Sequence, residues 1–229
     1  MKNKIKSQKF DLFFTMMLGV LISTNLFAQQ DELQKKAKYG DIDAVKALIE
    51  AGTDINCQDE STGYTPLMWA CEFHYTEMAK MLIEMGADLN IRAIDGSTAL
   101  IRAAGNAPEV VESLILKGAD IESVTEEGMG VLLQAAFGIL YKGYTLESVT
   151  ILLDHGADIE EAFVTPEDIA GYTPLMFAAR DNHEELAKLL INKGANANAR
   201  GKNGKTPLAL AEENGYTAMV ELLKANGGK

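Results

Sequence analysis

The sequence predicts an all-α solenoid of paired antiparallel helices joined by β-turn fingers, and two recurring landmarks predict it. A glycine-led opening appears as Gly63-Tyr-Thr-Pro-Leu-Met, Gly96-Ser-Thr-Ala-Leu-Ile, Gly128-Met-Gly-Val-Leu-Leu, Gly171-Tyr-Thr-Pro-Leu-Met and Gly204-Lys-Thr-Pro-Leu-Ala, in steps of 33, 32, 43 and 33 residues. An apolar pair followed by a glycine recurs between these openings, at Leu48-Ile49 and Gly52, Leu82-Ile83 and Gly86, Ile115-Leu116 and Gly118, Leu152-Leu153 and Gly156, and Leu190-Ile191 and Gly194. Self-similarity at such a period is the signature of a stacked array. Composition agrees: 47% of the 229 residues are hydrophobic and only 5 are Pro, which excludes collagen-like and disordered chains.

The N-terminus reads differently from the rest. Lys2, Lys4, Lys6 and Lys9 form a positive region, and an apolar stretch runs from Phe13 to Phe27 before Ala28 and the polar Gln29-Gln30-Asp31. That order is the layout of a secretory signal peptide cleaved after Ala28, although Leu26 is larger than the peptidase pocket prefers. Residues 1–28 are therefore expected to be removed and the product to be periplasmic or secreted. The alternative is an uncleaved N-terminal anchor, disfavoured because Ser23, Thr24 and Asn25 interrupt a stretch already short for a bilayer. No later stretch is apolar and long enough to span one.

The remaining residues, 29–229, divide into about six units: 31–62 as an N-terminal cap, then 63–95, 96–127, 128–170, 171–203, and 204–229 as a C-terminal cap. The first unit starts directly with the helical pattern Glu32-Leu33-Gln-Lys-Lys-Ala37, and the last ends at Gly227-Gly228 without another finger. Within each unit the residues have separate physical tasks. Thr65, Thr98, Thr173 and Thr206 are placed to cap a helix, because a hydroxyl can accept from an unpaired first-turn amide. Pro66, Pro174 and Pro207 follow where no donor is needed. Leu175, Ala178 and Ala179 make a narrow apolar stripe on a short first helix; Leu186, Leu189 and Leu190 make a broader one on the second. The glycine of the second landmark sits where a helix end takes a left-handed residue.

These motifs resemble the ankyrin repeat family, and the resemblance covers residues 31–229. The histidine of that family's T-P-L-H signature is absent; Met68, Ile101, Leu133, Met176 and Ala209 stand in its place. The resemblance implies a noncatalytic protein-binding module whose contact face comprises the finger tips and the exposed sides of the first helices. Carried onto this sequence, the binding positions are Tyr64, Trp69, Glu72, Phe73, Arg102, Met129, Gln134, Phe137, Tyr172, Phe177 and Arg180. Tyr64, Trp69, Tyr172 and Phe177 are expected to face outward, as aromatic anchors of an interface.

The fourth unit is enlarged twice. Five extra residues fall in Phe137 to Tyr144, expected as a loop between the paired helices, and five more lengthen the finger Glu160 to Asp168. Loops inserted on one face of a solenoid often contribute to binding, while surface loops also lengthen at small thermodynamic cost.

Charge narrows the partners. With 33 acidic and 21 basic residues the net charge is -12, which repels phosphate and argues against nucleic acid. Acidic finger tips at Asp59-Glu60, Asp95, Glu126-Glu127, Glu160-Glu161 and Glu167-Asp168 would steer a protein with a basic surface. His74, His155 and His183 lie in different units without metal-ligand spacing, and nucleophile and phosphate-loop motifs are missing, so no catalytic residue, metal or cofactor is expected. Cys57 reads as a finger residue and Cys71 as a small buried hydrophobe, both as free thiols. The expected function is protein binding by a monomer in the cell envelope, accessory or protective to another exported protein. The resemblance also admits an immunity protein masking a toxin, or a secreted effector.

The export reading predicts a mature chain beginning at Gln29. N-terminal sequencing of protein recovered from cells should find that residue; an intact Met1 on the bulk of the material would contradict cleavage.

Overall fold

The computed structural model describes residues 27–164 and 166–229. Of the segment 1–28 expected as a signal peptide, residues 1–26 lie outside the described residues. So does Thr165, in the lengthened finger. The first described helix, α1, covers 27–38 and buries Leu33, Gln34 and Ala37. Eleven more follow: α2 (Ile42–Glu50), α3 (Pro66–Glu72), α4 (Thr76–Glu84), α5 (Ala99–Ala104), α6 (Pro108–Leu116), α7 (Val131–Lys142), α8 (Glu147–Asp154), α9 (Pro174–Arg180), α10 (Glu184–Asn192), α11 (Pro207–Glu213) and α12 (Thr217–Ala225). The fold of the described residues is an all-α solenoid without a sheet. Among the described residues, extended pairing is limited to an isolated antiparallel bridge between Val124 and Gly130.

Two layers result. The short helices α3, α5, α7, α9 and α11 lie side by side in one, while α4, α6 and α8, and then α10 and α12, neighbour each other in the second. The short helices start where the sequence says. Thr65, Thr98, Thr173 and Thr206 accept from the amides of Met68, Ile101, Met176 and Ala209 at 3.3, 3.4, 3.4 and 3.2 Å. At α7 the equivalent residue is Gly130, which has no side chain to offer.

Helix ends are closed by left-handed residues. Gly86 and Gly194 take φ of +87° and +98° just after α4 and α10, a region that costs a side chain with a Cβ. His74 and Asn182 occupy the same region, at +62° and +59°, between the helices of their pairs. His74 therefore corresponds to Asn182, each standing 11 residues after the opening glycine of its unit. His183 instead precedes α10, where its Nδ1 accepts from the amide of Leu186 at 3.2 Å.

Successive units are linked by a hydrogen-bond ladder that runs along one edge. Asp54, Asp88, Asp120, Asp158 and Asn196 each accept from the backbone two residues on, at 2.9 to 3.0 Å. The side chains at that second position reach onward: Asn56 accepts from the amide of Asp88, Asn90 from Asp120, Glu160 from Asn196 and Asn198 from Lys229, at 2.7 to 2.9 Å. Each rung satisfies an amide that stacking would otherwise leave unpaired.

The enlargement of the fourth unit departs from expectation. Its extra residues from Phe137 to Tyr144 do not loop out; they lengthen α7 to 12 residues, against 7 for α3 and α9. The stretch Val131 to Lys142 lacks a breaker strong enough to stop it, and Gly143 closes it in the left-handed conformation at φ +68°.

Gly138 lies within α7 where that helix crosses α5. A Cβ there would stand 2.6 Å from the carbonyl oxygen and 2.8 Å from the Cα of Gly105. Helix propensity alone favours Ala over Gly by about 1 kcal/mol. Forcing the two backbones apart costs about 1–3 kcal/mol, so the steric effect wins. Gly138→Ala is expected to lower the urea midpoint, and an increase would show that the helices can separate freely.

Candidate functional site

The sequence-derived binding positions separate into three groups along the layer of short helices. The first surrounds Trp69. Its indole N–H donates to Gln34 Oε1 at 2.9 Å, and Gln34 Nε2 donates to the carbonyl of Cys57 at 2.6 Å. Tyr64 lies 4.6 Å from the indole, Phe73 stacks on it at 5.8 Å and the Lys38 ammonium stands 4.8 Å above it.

The second group centres on Arg102. Its Nε donates to Ser97 Oγ at 3.0 Å, one terminal nitrogen reaches Glu72 at 3.3 Å and the other pairs with Asp95. The guanidinium also covers the Tyr64 ring at 4.7 Å, so this one side chain ties α3 to α5 and to the intervening finger. Burial works to raise the pKa of Asp95, but bonds from Ser97 and Arg102 outweigh it and hold the carboxyl below its usual range. Burial pushes the Tyr64 phenol up to about 12. Beside Arg102 opens a cleft of about 320 Å³ lined by Ile101, Met129, Gln134, Asp95, Glu126 and Glu127.

The third group is aromatic. Phe137 meets Phe177 edge-on at 4.8 Å and Phe163 at 5.9 Å, and Tyr172 lies 5.6 Å from Phe177. With Leu133, Met176 and Leu210 these rings form a second, smaller core. Arg180 lies 4.8 Å over Phe177 and grips both oxygens of Asp181, at 2.7 and 2.9 Å. The Tyr141 hydroxyl donates to Asp181 at 2.8 Å, which locks the end of α7 onto the end of α9.

The outward placement expected of four aromatics is therefore corrected. Trp69 is 6% exposed, Tyr64 9%, Tyr172 3% and Phe177 1%. The reason is what neighbouring units supply. Gln34 and Lys38 of α1 cover Trp69, while Phe137 and Phe163, both from enlarged segments, cover Phe177. Phe73 remains exposed at 42%, and Glu72, Arg102, Met129, Gln134, Phe137 and Arg180 are half-buried. Sequence reasoning missed Gln34, Phe163 and Tyr141. Phe163 carried a signal, as the one aromatic inside the longer finger; Gln34 carried none, because its partners lie 23 and 35 residues away.

Both thiols are free and buried. Burial raises Cys57 to about 11 and raises Cys71 further, so neither is a nucleophile at neutral pH. Among the described residues there is no cluster of three or more His, Cys, Asp or Glu able to hold a metal. No helix of the described residues is long and apolar enough to cross a membrane.

A stacked helical array with a cleft and a rim of charge on its finger side defines a repeat-type scaffold for protein contacts. The comparisons with known proteins agree: residues 33–125 and 132–229 match the family described as "Ankyrin repeats (3 copies)". The chain belongs to the ankyrin repeat family, and it is a noncatalytic protein that mediates protein–protein contacts. It is 33% identical over 197 residues to the ankyrin repeat protein YahD of Escherichia coli (strain K12), covering 83% of this chain and 93% of that one. The "Ankyrin repeat and KH domain-containing protein mask-1" of Caenorhabditis elegans is 32% identical over 167 residues, 71% of this chain but only 6% of its own length. The human "Ankyrin repeat domain-containing protein 40" is 40% identical over 68 residues, 30% of this chain and 18% of its own.

Burial assigns Trp69 to the fold. Trp69→Ala removes a large buried ring and leaves Gln34 Oε1 without its donor, at a cost of about 3–5 kcal/mol. A fall in Tm on the order of 10 °C is expected. Phe73→Ala, whose ring is partly in water, should shift Tm by only a few degrees, and equal losses for the two would contradict this division.

Proposed function

We propose that this chain is an exported binding module that presents the finger side of its solenoid to a protein with a basic surface, acting as an accessory or protective partner of another exported protein. The observation that carries the reading is the cleft beside Arg102. Ile101 and Met129 offer apolar walls, while Asp95, Glu126 and Glu127 put negative charge at the mouth. A lysine or arginine side chain suits such a site, with its stem against the walls and its charge at the rim. Exposed aliphatic side chains continue the surface along the finger tips, with Ile94 66%, Val124 42% and Val164 51% exposed.

Phe73 and Tyr141, 42% and 58% exposed, take over the role of aromatic anchors from the four buried rings. Both stand at the C-terminal ends of helices of the first layer, α3 and α7, which also carries Arg102 and Arg180. The charged rim should govern the rate of encounter, and the rings the lifetime of the complex. The export part of the proposal rests on the N-terminal sequence layout alone.

The test is affinity capture from the envelope fraction, repeated with a bait carrying Glu126→Lys and Glu127→Lys, followed by calorimetry on any partner retained. Charge reversal should abolish capture or slow association steeply, with a weaker salt dependence. Phe73→Ala and Tyr141→Ala should each weaken affinity about thirtyfold or more. A partner held equally well by all three variants would exclude this face from binding.

A further inference from the structure

The N-terminus of α7 lacks the threonine that caps α3, α5, α9 and α11, since Gly130 stands in its place. An oxygen is nevertheless supplied there. It comes from the lengthened finger of the same unit, whose Glu161 accepts from the amide of Leu132 through Oε2 at 3.0 Å. The amides of Gly130 and Leu133 also favour the carboxylate. The absence of a side chain at Gly130 is what admits it: a Cβ there would lie 2.3 Å from Glu161 Oε1 and 2.5 Å from its carboxyl carbon. Val164, three residues on, covers Gly128 closely enough that a Cβ would stand 2.5 Å from its methyl. The finger is thus seated on two bare glycines and plugged into a helix end by one carboxyl group.

We infer that Glu161 is a detachable cap, a latch that holds the lengthened finger against α7 in acid and releases it as the solution turns alkaline. The chemistry of the seat gives the direction. Oε1 is buried without a hydrogen-bond partner among the described residues, so full ionisation leaves a charged oxygen with nothing to satisfy it. Burial outweighs the amides and pushes the group up to about 7 from an ordinary 4.5. From the preceding finger the charge of Glu122 acts on it and opposes a second negative charge; the stretch from Gly130 to Leu133 contributes no ionisable side chain. On its own finger Glu160 is turned onto the amide of Asn196 at 2.7 Å, and Asp158 onto that of Glu160 at 2.9 Å.

Because the seated pKa lies above the exposed one, the latch is fully effective below about 4.5 and is lost as the pH rises through about 7. The finger bears Val164, Glu167 and Asp168, all exposed, so its release would reshape that part of the surface. This holds whether or not the surface binds a basic partner.

Hydrogen exchange of the full chain from pH 5 to 8, corrected for the intrinsic rise in rate, tests the latch. Protection of residues 130–133 and 161–164 should fall by roughly tenfold to a hundredfold across that range while α3 and α11 hold theirs. Glu161→Gln, which keeps an acceptor but cannot ionise, should make the protection independent of pH. Gly130→Ala should expel the carboxyl and leave the finger unprotected at every pH. A carbon-detected titration of Glu161 in the unaltered protein gives a reading that needs no variant, with a midpoint near 7 expected. A midpoint below 5, the same pH dependence in Glu161→Gln, or retained protection in Gly130→Ala would each overturn the proposal.

Discussion

A pair of helices only 7 and 9 residues long has two apolar faces and can cover just one with its partner. Every other property of this chain follows from that shortfall. The second face must be buried against the next pair, so the apolar cluster runs without a break from Leu33 of α1 to Leu223 of α12. Small side chains on the short helices, Ala103 and Ala104 or Ala178 and Ala179, let neighbours approach closely. Close approach then creates a second demand, for polar satisfaction at the seams. The ladder from Asn56 to Asp88, Asn90 to Asp120 and onward meets it with one side chain per step.

The fourth unit shows how the same constraint handles irregularity. Phe137 ends the footprint of an ordinary short helix, lengthening α7 adds Tyr141 beyond it, and both rings need cover. The lengthened finger supplies it with Phe163, which meets Phe137 and Phe177, while Tyr141 fastens onto Asp181. Two insertions that look independent in the sequence are thus one structural adjustment. It is here too that the ladder is interrupted, since Glu122 makes no rung to Asp158 among the described residues and acts on Glu161 through its charge. Within one seam a glutamate stands in for the threonine cap and a ladder rung is absent among the described residues.

Function in such a scaffold is confined to what the stacking leaves over. Residues with reactive potential are spent on structure: His183 receives a helix amide, and Cys57 and Cys71 are buried with raised pKa values. Arg102 and Arg180 each lie over an aromatic ring and neutralise an adjacent carboxylate, which keeps the short-helix layer rigid. What remains at the surface is largely acidic or aliphatic, along the fingers. A rigid frame with a charged edge binds by matching shape and potential, at little cost in ordering the binding groups.

The sequence by itself determined the fold, because a solenoid is specified by local rules repeated at a fixed period. Thr-Pro-Leu opens a helix, a glycine closes one, and the apolar spacing says which face is buried, all within about ten residues of each other. The same rules read correctly for Thr65, Gly86 and Leu175, and for Cys71 as a buried thiol. They misplaced Trp69, Tyr64, Tyr172 and Phe177, whose exposure depends on what neighbouring units lay across them. Gln34 lies 35 residues from the indole it caps, and Glu161 lies 29 from the amide it receives. Side chains that act between units carry no periodic signature, because each answers a local defect in the stacking. Only the packed structure, where those distances close to about 3 Å, decided which residues hold the molecule together and which stay exposed.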